Sequence, residues 1–242
     1  MRCALTAAPS LNGALSLNRQ TLHRFVRANA GCDFVCFGEA FLQGFDGLTW
    51  APLTDLSRGL ALDGPELQAL AAYARAQATG IATGYIERDG DTLYSSYLVL
   101  DRTGRRLANY RRITPGWREG HVDRTVYREG TQPVAFDYAG HRIGIGLCGD
   151  FWDAPATFAA LSADVTLWPL YISYTPAEWA AGGAAEYAAQ AAKVSAHVLM
   201  INALTPGDAY GGSCAFKAGQ RVAGLPMGEP GTLVVTLPDV PA

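Results

Sequence analysis

The sequence predicts an α/β fold in which helices cover the outer faces of two packed sheets. Helical patterns fall in two groups with runs of strand-like segments between them, and every apolar face must be covered. The strand-like segments are short, apolar and separated by turn sequences. The 242 residues are 49% apolar and contain no linker or repeat, so we expect one domain spanning residues 1–242. One large mixed sheet satisfies the same pattern.

The N-terminal part of the chain supplies the first strands and helices. Residues 3–9 form an apolar run that is too brief for a signal sequence or a membrane span and predicts a buried strand. Helical spacing over residues 22–26 predicts a helix, and residues 33–37 predict the next strand. Residues 41–60 resemble a loop. A second helix is predicted to begin at Asp63, an N-cap candidate.

The rest of the chain is rich in strands. Strands are predicted at residues 81–87, 93–100, 106–113, 134–136, 142–147, 165–169, 198–202, 213–216, 220–225 and 232–237. A short helix at residues 156–162 and a long Ala-rich helix at about 176–197 interrupt this series.

Charge and cysteine content exclude several classes of protein. A net charge of −3 and a pI near 5.8 give no electrostatic basis for nucleic-acid binding. The five cysteines are odd in number, and neither they nor the four histidines have metal-ligand spacing. We therefore expect reduced thiols in a soluble cytoplasmic protein that contains no metal and spans no membrane.

Cys148 and Glu39 occupy positions that suggest chemistry. Cys148 leaves an apolar strand just before Gly149, whose N–H at a sharp turn is suited to meet a developing oxyanion. Glu39 follows the apolar segment 33–37, where partial desolvation suits it to accept a proton. The alternatives are a buried structural thiol and a rim carboxylate that caps a turn.

Three segments carry a family resemblance. Residues 34–39, 109–115 and 145–150 resemble, in order and spacing, the three signatures of the nitrilase (carbon–nitrogen hydrolase) superfamily. Supporting similarity runs from Leu5 to about Leu237. The resemblance implies a four-layer α-β-β-α sandwich of two mixed sheets with outer helices. It also implies a small-molecule substrate, no cofactor and a homodimer.

The resemblance also implies catalytic roles. In that family a Glu is the general base, a Lys stabilises the oxyanion, and a Cys attacks the carbon of an amide, nitrile or N-carbamoyl group. Glu39 and Cys148 match the base and the nucleophile. Glu119 resembles a further Glu that orients the site. The Lys position is occupied by Arg112.

Arg112 is the main departure from the family pattern. A guanidinium offers N–H donors but is planar and always charged, so it cannot donate a proton near neutral pH. A misplaced oxyanion donor costs about 2.7–4 kcal/mol of barrier. The leading hypothesis is a hydrolase of small amides or N-carbamoyl compounds that forms a Cys thioester. The alternative is a catalytically silent member that binds a small carboxylate or amide.

Aromatic residues near the signatures are candidates for the substrate pocket. Trp117, Trp152 and Tyr171 follow or flank the three segments, and together with Gly149 they are the predicted substrate-binding residues. The alternative is that most of the aromatic rings pack in the core or in an interface.

Overall fold

The computed structural model describes residues 1–238 and contains two six-stranded mixed sheets. Its strands are β1 (Arg2–Ala7), β2 (Phe34–Cys36), β3 (Gly80–Asp89), β4 (Thr92–Leu100), β5 (Arg106–Arg111), β6 (Val134–Tyr138), β7 (His141–Ile145), β8 (Val165–Leu170), β9 (His197–Asn202), β10 (Leu204–Thr205), β11 (Ala209–Tyr210), β12 (Cys214–Lys217), β13 (Gln220–Gly224) and β14 (Gly231–Thr236). The predicted fold class is confirmed, and the single large sheet is excluded.

The first sheet has the order β14-β1-β2-β3-β4-β5 and the second has the order β13-β12-β9-β8-β7-β6. In each sheet two parallel pairings lie between antiparallel ones: β1-β2-β3 in the first and β7-β8-β9 in the second. Strands β10 and β11 pair with each other and form a separate two-stranded antiparallel ribbon. The parallel strands are buried on both faces, as their continuous apolar sequences require.

The two sheets pack face to face around one apolar core. Alternate residues of β1 illustrate the arrangement: Cys3 and Leu5 face the second sheet, whereas Ala4 faces the outer helices. Ile143 and Leu167 lie on the opposite side of the same core. Burial of each such large side chain stabilises the packing by about 1.5–3 kcal/mol.

Helices form the outer layers. They are α1 (Leu15–Ala28), α2 (Pro52–Arg58), α3 (Pro65–Gln77), α4 (Asp150–Asp153), α5 (Pro155–Ala159), α6 (Pro176–Glu178) and α7 (Ala184–Ala191). Leu22 of α1 and Leu70 of α3 pack on the first sheet, and Tyr187 of α7 packs on Trp168 of the second. Among residues 1–238 no helix is both long and apolar enough to cross a bilayer.

The predicted helix at residues 176–197 is shorter and interrupted. A turn of π-helix at Trp179–Gly183 separates α6 from α7, and α7 ends at Ala191. The ring of Tyr174 lies so close to Gly183 that a Cβ there would be 2.4 Å from it, and this contact accompanies the irregular turn. The Ala-rich composition correctly predicted a helix in this segment, but composition does not predict the contact between Tyr174 and Gly183.

Two further predictions differ from the structure near the N-terminal helices. The loop predicted at residues 41–60 contains α2, which begins with Pro52 in its first turn. Asp63 does not cap α3, because Gly64 occupies the N-cap position and the Asp63 carboxylate instead accepts a hydrogen bond from Arg106 at 2.8 Å.

Candidate active site

The C-terminal end of β8 joins two residues that come from different sheets. Cys148 follows β7, and its N–H donates to the carbonyl of Pro169 at 3.0 Å. Glu39 follows β2 of the other sheet, and its N–H donates to the carbonyl of Leu170 at 3.3 Å. Two successive carbonyls therefore hold the backbones of Cys148 and Glu39 at one place.

Arg112 completes the group from the end of β5. Its N–H donates to the carbonyl of Ser95 at 2.8 Å, and its Nη1 donates to Glu39 Oε1 at 3.1 Å. Both side chains are sealed from solvent, with exposures of 2% for Arg112 and 0% for Glu39. Removing one partner of such a pair leaves a buried charge uncompensated, at a cost of about 3–5 kcal/mol.

The two oxygens of the Glu39 carboxylate differ in their surroundings. Oε1 accepts from Arg112 and from the Ser95 hydroxyl at 2.8 Å. Oε2 is buried and has no hydrogen-bond partner among residues 1–238. An unsatisfied buried oxygen is costly, because it has lost its hydrogen bonds to water. Oε2 is therefore free to accept a proton.

Cys148 has a strained backbone and a neutral thiol. Its φ of 41° lies in the left-handed region, which a non-glycine residue adopts only when its surroundings impose it. The residue is intermediate in exposure, and Sγ makes a long contact of 3.9 Å with the carbonyl of Tyr171. Burial, followed by the charge of Glu39, raises the pKa of the Cys148 thiol to about 11 against the opposing effect of Arg112. The nucleophilic thiolate therefore requires a base.

The rest of the Arg112 guanidinium is held by the turn that follows it. Nε donates to Thr114 Oγ1 at 3.1 Å, and the Thr114 hydroxyl donates to Asp150 Oδ1 at 2.8 Å. Burial lowers the pKa of Arg112, but opposing effects, of which the charge of Glu39 is the largest, raise the pKa above its ordinary value. Burial raises the pKa of Asp150.

Glu119 is not brought to this group. Its side chain is 54% exposed and lies 3.3 Å from His121. The preceding residues account for the difference, because Trp117 turns into the protein and Arg118 pairs with Glu129 at 2.7 Å, which leaves Glu119 facing solvent. The expected orienting role of Glu119 therefore has no structural support.

The predicted substrate-binding residues divide into two sets. Gly149 and Tyr171 form the first set, which lies at the reactive group. Gly149 lies beside Arg112, and its N–H has no acceptor among residues 1–238. The backbone carbonyl of Tyr171 contacts Cys148. Trp152, in α4, is 38% exposed and packs on Tyr187 at 5.2 Å. Trp117 is 1% exposed and packs in a separate apolar cluster with Tyr127, as the alternative of core packing expected.

Sequence reasoning did not identify Ser95 and Thr114. Both are small polar residues, and such residues are usually exposed at strand ends and turns. The register that places Ser96 opposite Arg111 also brings Ser95 to Arg112, but that register emerges only once β4 and β5 are paired. No local signal distinguished them.

A cavity lies apart from these residues. This cavity of about 340 Å³ is lined by residues that include Gln43, Asp55 and Ile86. The side chains of Gln43 and Asp55 already make hydrogen bonds to their neighbours, so they present no unsatisfied groups to a ligand. Within residues 1–238 no cluster of His, Cys, Asp and Glu is suited to hold a metal ion.

The carbon–nitrogen hydrolase family model matches residues 2–240. The chain belongs to this family. The three signatures identified in the sequence are therefore those of a carbon–nitrogen hydrolase, and the group formed by Glu39, Arg112 and Cys148 lies where these signatures meet.

Curated relatives of this chain include nitrilases. The chain is 30% identical over 165 residues to an aliphatic nitrilase of Rhodococcus rhodochrous, covering 62% of this chain and 44% of the relative. It is 31% identical over 160 residues to an arylacetone-specific nitrilase of Alcaligenes faecalis, covering 60% and 44%. The matched region therefore spans less than half the length of these two relatives.

Solved structures with the same fold include an amidase from Nesterenkonia sp. AN1. It superposes with a TM-score of 0.79 over 99% of this chain and 93% of the amidase, at 21% sequence identity. At that identity the comparison establishes the fold of this chain alone, which is the predicted sandwich of two mixed sheets.

Proposed function

We propose that this carbon–nitrogen hydrolase cleaves small amides or N-carbamoyl compounds through a thioester on Cys148. The observation that carries the proposal is the free Oε2 of Glu39, a buried carboxylate oxygen without a partner among residues 1–238, in a side chain whose charge acts on a thiol that needs a base.

The first chemical step forms the carbon–sulfur bond. Glu39 takes the thiol proton while Sγ of Cys148 attacks the carbonyl carbon, and the C=O electron pair moves onto oxygen. Arg112 and the N–H of Gly149 donate hydrogen bonds to this oxyanion. The oxyanion then collapses, the C–N bond breaks, and protonated Glu39 returns its proton to the departing ammonia or amine.

The second step hydrolyses the thioester. Water enters after the amine leaves, and Glu39 removes a proton from it as its oxygen attacks the acyl carbon. A second oxyanion forms against the same donors. Its collapse breaks the carbon–sulfur bond, releases the carboxylic acid and returns the proton from Glu39 to the sulfur of Cys148.

The alternative, a silent protein that binds a carboxylate, has less support. A fixed cation suits carboxylate binding when its charge is free. Here the Arg112 charge is already paired with Glu39 at 3.1 Å. A bound carboxylate would meet the like charge of Glu39, whereas a neutral amide would not.

Similar proteins support cysteine-based chemistry at this site. Variants of the amidase from Nesterenkonia sp. AN1 carry adducts of acrylamide and of fluoroacetamide at their active-site cysteine. The curated relatives named above are nitrilases, so nitriles belong in the test alongside amides.

The test is ammonia release from short amides, ω-amides, N-carbamoyl compounds and nitriles. We expect turnover of a member of the amide or N-carbamoyl classes, and none by Cys148→Ala. An activated ester should leave an acyl adduct on Cys148, found by peptide mass spectrometry. If no substrate releases ammonia above the Cys148→Ala control and no adduct forms, the proposal is wrong. Turnover of nitriles alone would replace the amide assignment.

A further inference from the structure

The hydroxyl of Thr114 has a defined direction. A hydroxyl has one hydrogen and two lone pairs. The carboxylate of Asp150, at 2.8 Å, takes the hydrogen, so a lone pair is left to accept from Arg112 Nε at 3.1 Å. Thr114 is 4% exposed, and solvent does not compete for these bonds.

Asp150 makes this contact rigid and links it to the Cys148 turn. Its Oδ2 accepts from the Tyr110 hydroxyl at 2.5 Å and from the N–H of Leu147 at 2.7 Å. Leu147 precedes Cys148 directly. The position of the Arg112 guanidinium is therefore coupled through Thr114 and Asp150 to the turn that carries the nucleophile.

The remaining nitrogen of the guanidinium occupies space left by two glycines. Nε and Nη1 have partners, whereas Nη2 donates to no acceptor in residues 1–238. A Cβ at Gly116 would lie 2.8 Å from Nη2, and a Cβ at Gly149 would lie 2.5 Å from it. Carbon and nitrogen atoms do not approach so closely without overlap, since their optimal separation is about 3.5–4.0 Å.

We propose that the turn Thr114–Gly116 is a positioning element that fixes the Arg112 guanidinium beside Cys148. Thr114 holds Nε, Glu39 holds Nη1, and Gly116 leaves the space for Nη2, which is the nitrogen left to meet the substrate oxygen. A lysine ammonium is a compact point charge and cannot make the Nε and Nη1 contacts together. Thr114 and Gly116 act through Arg112 and deepen the proposed function, on which the turnover part of this inference rests.

The first test replaces Gly116 with alanine. Gly116 is exposed, so the added methyl group affects no core packing, but it displaces Nη2. Gly120→Ala is the matched control, because Gly120 lies in the same loop with no atom within 4 Å of its Cβ position. We expect kcat to fall by about 10- to 100-fold in Gly116→Ala with little change in KM, and no change in Gly120→Ala.

A readout without turnover separates this inference from the proposed function. Because the charge of Arg112 lowers the pKa of Cys148, displacing the guanidinium raises it. Iodoacetamide labelling of Cys148, followed by peptide mass spectrometry at a series of pH values, should move to higher pH in Gly116→Ala. At a fixed pH below the midpoint we expect labelling to be about 3- to 10-fold slower.

Thr114 is tested by Thr114→Val against Thr114→Ser. Valine keeps the shape and loses the hydroxyl, whereas serine keeps the hydroxyl. Valine should slow turnover and labelling as Gly116→Ala does, and serine should restore both. If Thr114→Val fails to fold, the Gly116→Ala comparison alone decides the proposal.

The Arg112→Lys background provides the decisive comparison. In that background Gly116→Ala and Thr114→Val should cause no further loss in labelling or turnover, because the guanidinium is gone. The positioning proposal is overturned if Gly116→Ala matches Gly120→Ala in Cys148 labelling, or if the losses persist with lysine. Wild-type protein that releases no ammonia, but in which Gly116→Ala shifts labelling, would overturn the proposed function and leave the positioning role standing.

Discussion

Replacing Glu39 with glutamine should accelerate chemical labelling of Cys148 while it abolishes amide turnover. The pKa of the thiol is raised from 9.0 to about 11, a difference of about two units, with burial as the largest cause and the Glu39 charge as the second. Arg112 acts in the opposite direction, so removal of the Glu39 charge should lower the pKa of the thiol. Glutamine removes that charge and keeps the shape.

Labelling with iodoacetamide at pH 8 measures the change. Below the thiol pKa the thiolate fraction rises about tenfold for each unit by which the pKa falls, so we expect Glu39→Gln to label on the order of tenfold faster than wild type. Ammonia release should fall to the level of Cys148→Ala, since no base remains. The melting temperature of the variant shows whether the fold remains stable when the buried Arg112 has a neutral glutamine in place of Glu39.

Slower or unchanged labelling in a folded Glu39→Gln protein would refute the electrostatic reasoning. Slower labelling would mean that Glu39 removes the thiol proton even when the electrophile is an alkyl halide. Unchanged labelling would mean that the Glu39 charge does not act on Cys148. Retained ammonia release would show that the base in the proposed reaction is another group.

Three further predictions follow from contacts of the site and its neighbouring loops. Arg112→Lys should lower kcat and reduce the free energy of unfolding by about 1–3 kcal/mol, because the ammonium loses a charged hydrogen bond; a large gain in rate would show that the natural arginine is impaired. The pKa of the Cys148 thiol in the folded state lies above its unfolded value, so the contribution of the thiol to stability is complete below about pH 9 and is lost as the pH rises to about 11. In denaturant titrations across this pH range, the free energy of unfolding of wild type should fall by about 2–3 kcal/mol more than that of Cys148→Ser. Tyr127→Phe removes the hydrogen bond of 2.7 Å to the buried Asp55 carboxylate and should destabilise the protein by about 1–3 kcal/mol in thermal unfolding, and an unaltered melting temperature would contradict this.

The positions of Glu39 and Cys148 were predictable because each follows an apolar strand. A run such as residues 34–36 must be buried, and the first polar side chain after it lies at the mouth of the sheet. The sequence therefore located both residues at strand ends. It did not show that the two strand ends meet, because β2 and β7 lie in different sheets and the carbonyls at the end of β8 bring them together.

The partners of Arg112 depend on geometry that the sequence does not encode locally. Thr114 lies two residues from Arg112, yet its role requires Asp150, which is 36 residues away. Glu119 shows the opposite case, since the family resemblance implied an orienting role but its carboxylate faces solvent. Sequence spacing limits which residues can meet, and side-chain direction decides which of them do.

The same geometry changes the interpretation of arginine at this position. From sequence, Arg112 was a misplaced donor, because nothing indicated what would hold a larger, planar cation. A buried guanidinium is stable only if its charge and its donors have partners. Glu39 and Thr114 supply them, and Gly116 supplies the space. The substitution therefore fits its surroundings in this chain.

A permanent cation also suits the charges of the proposed reaction. At rest, the Arg112 charge is balanced by the Glu39 carboxylate. When Glu39 accepts the thiol proton it becomes neutral, and the negative charge moves through the attacking sulfur onto the substrate oxygen. The net charge of the buried group is the same before and after, so the burial cost of Arg112 does not rise as the oxyanion forms. The ion pair between Arg112 and Glu39 is replaced by an ion pair between Arg112 and the oxyanion. Arginine keeps its charge throughout, because it does not lose a proton near neutral pH.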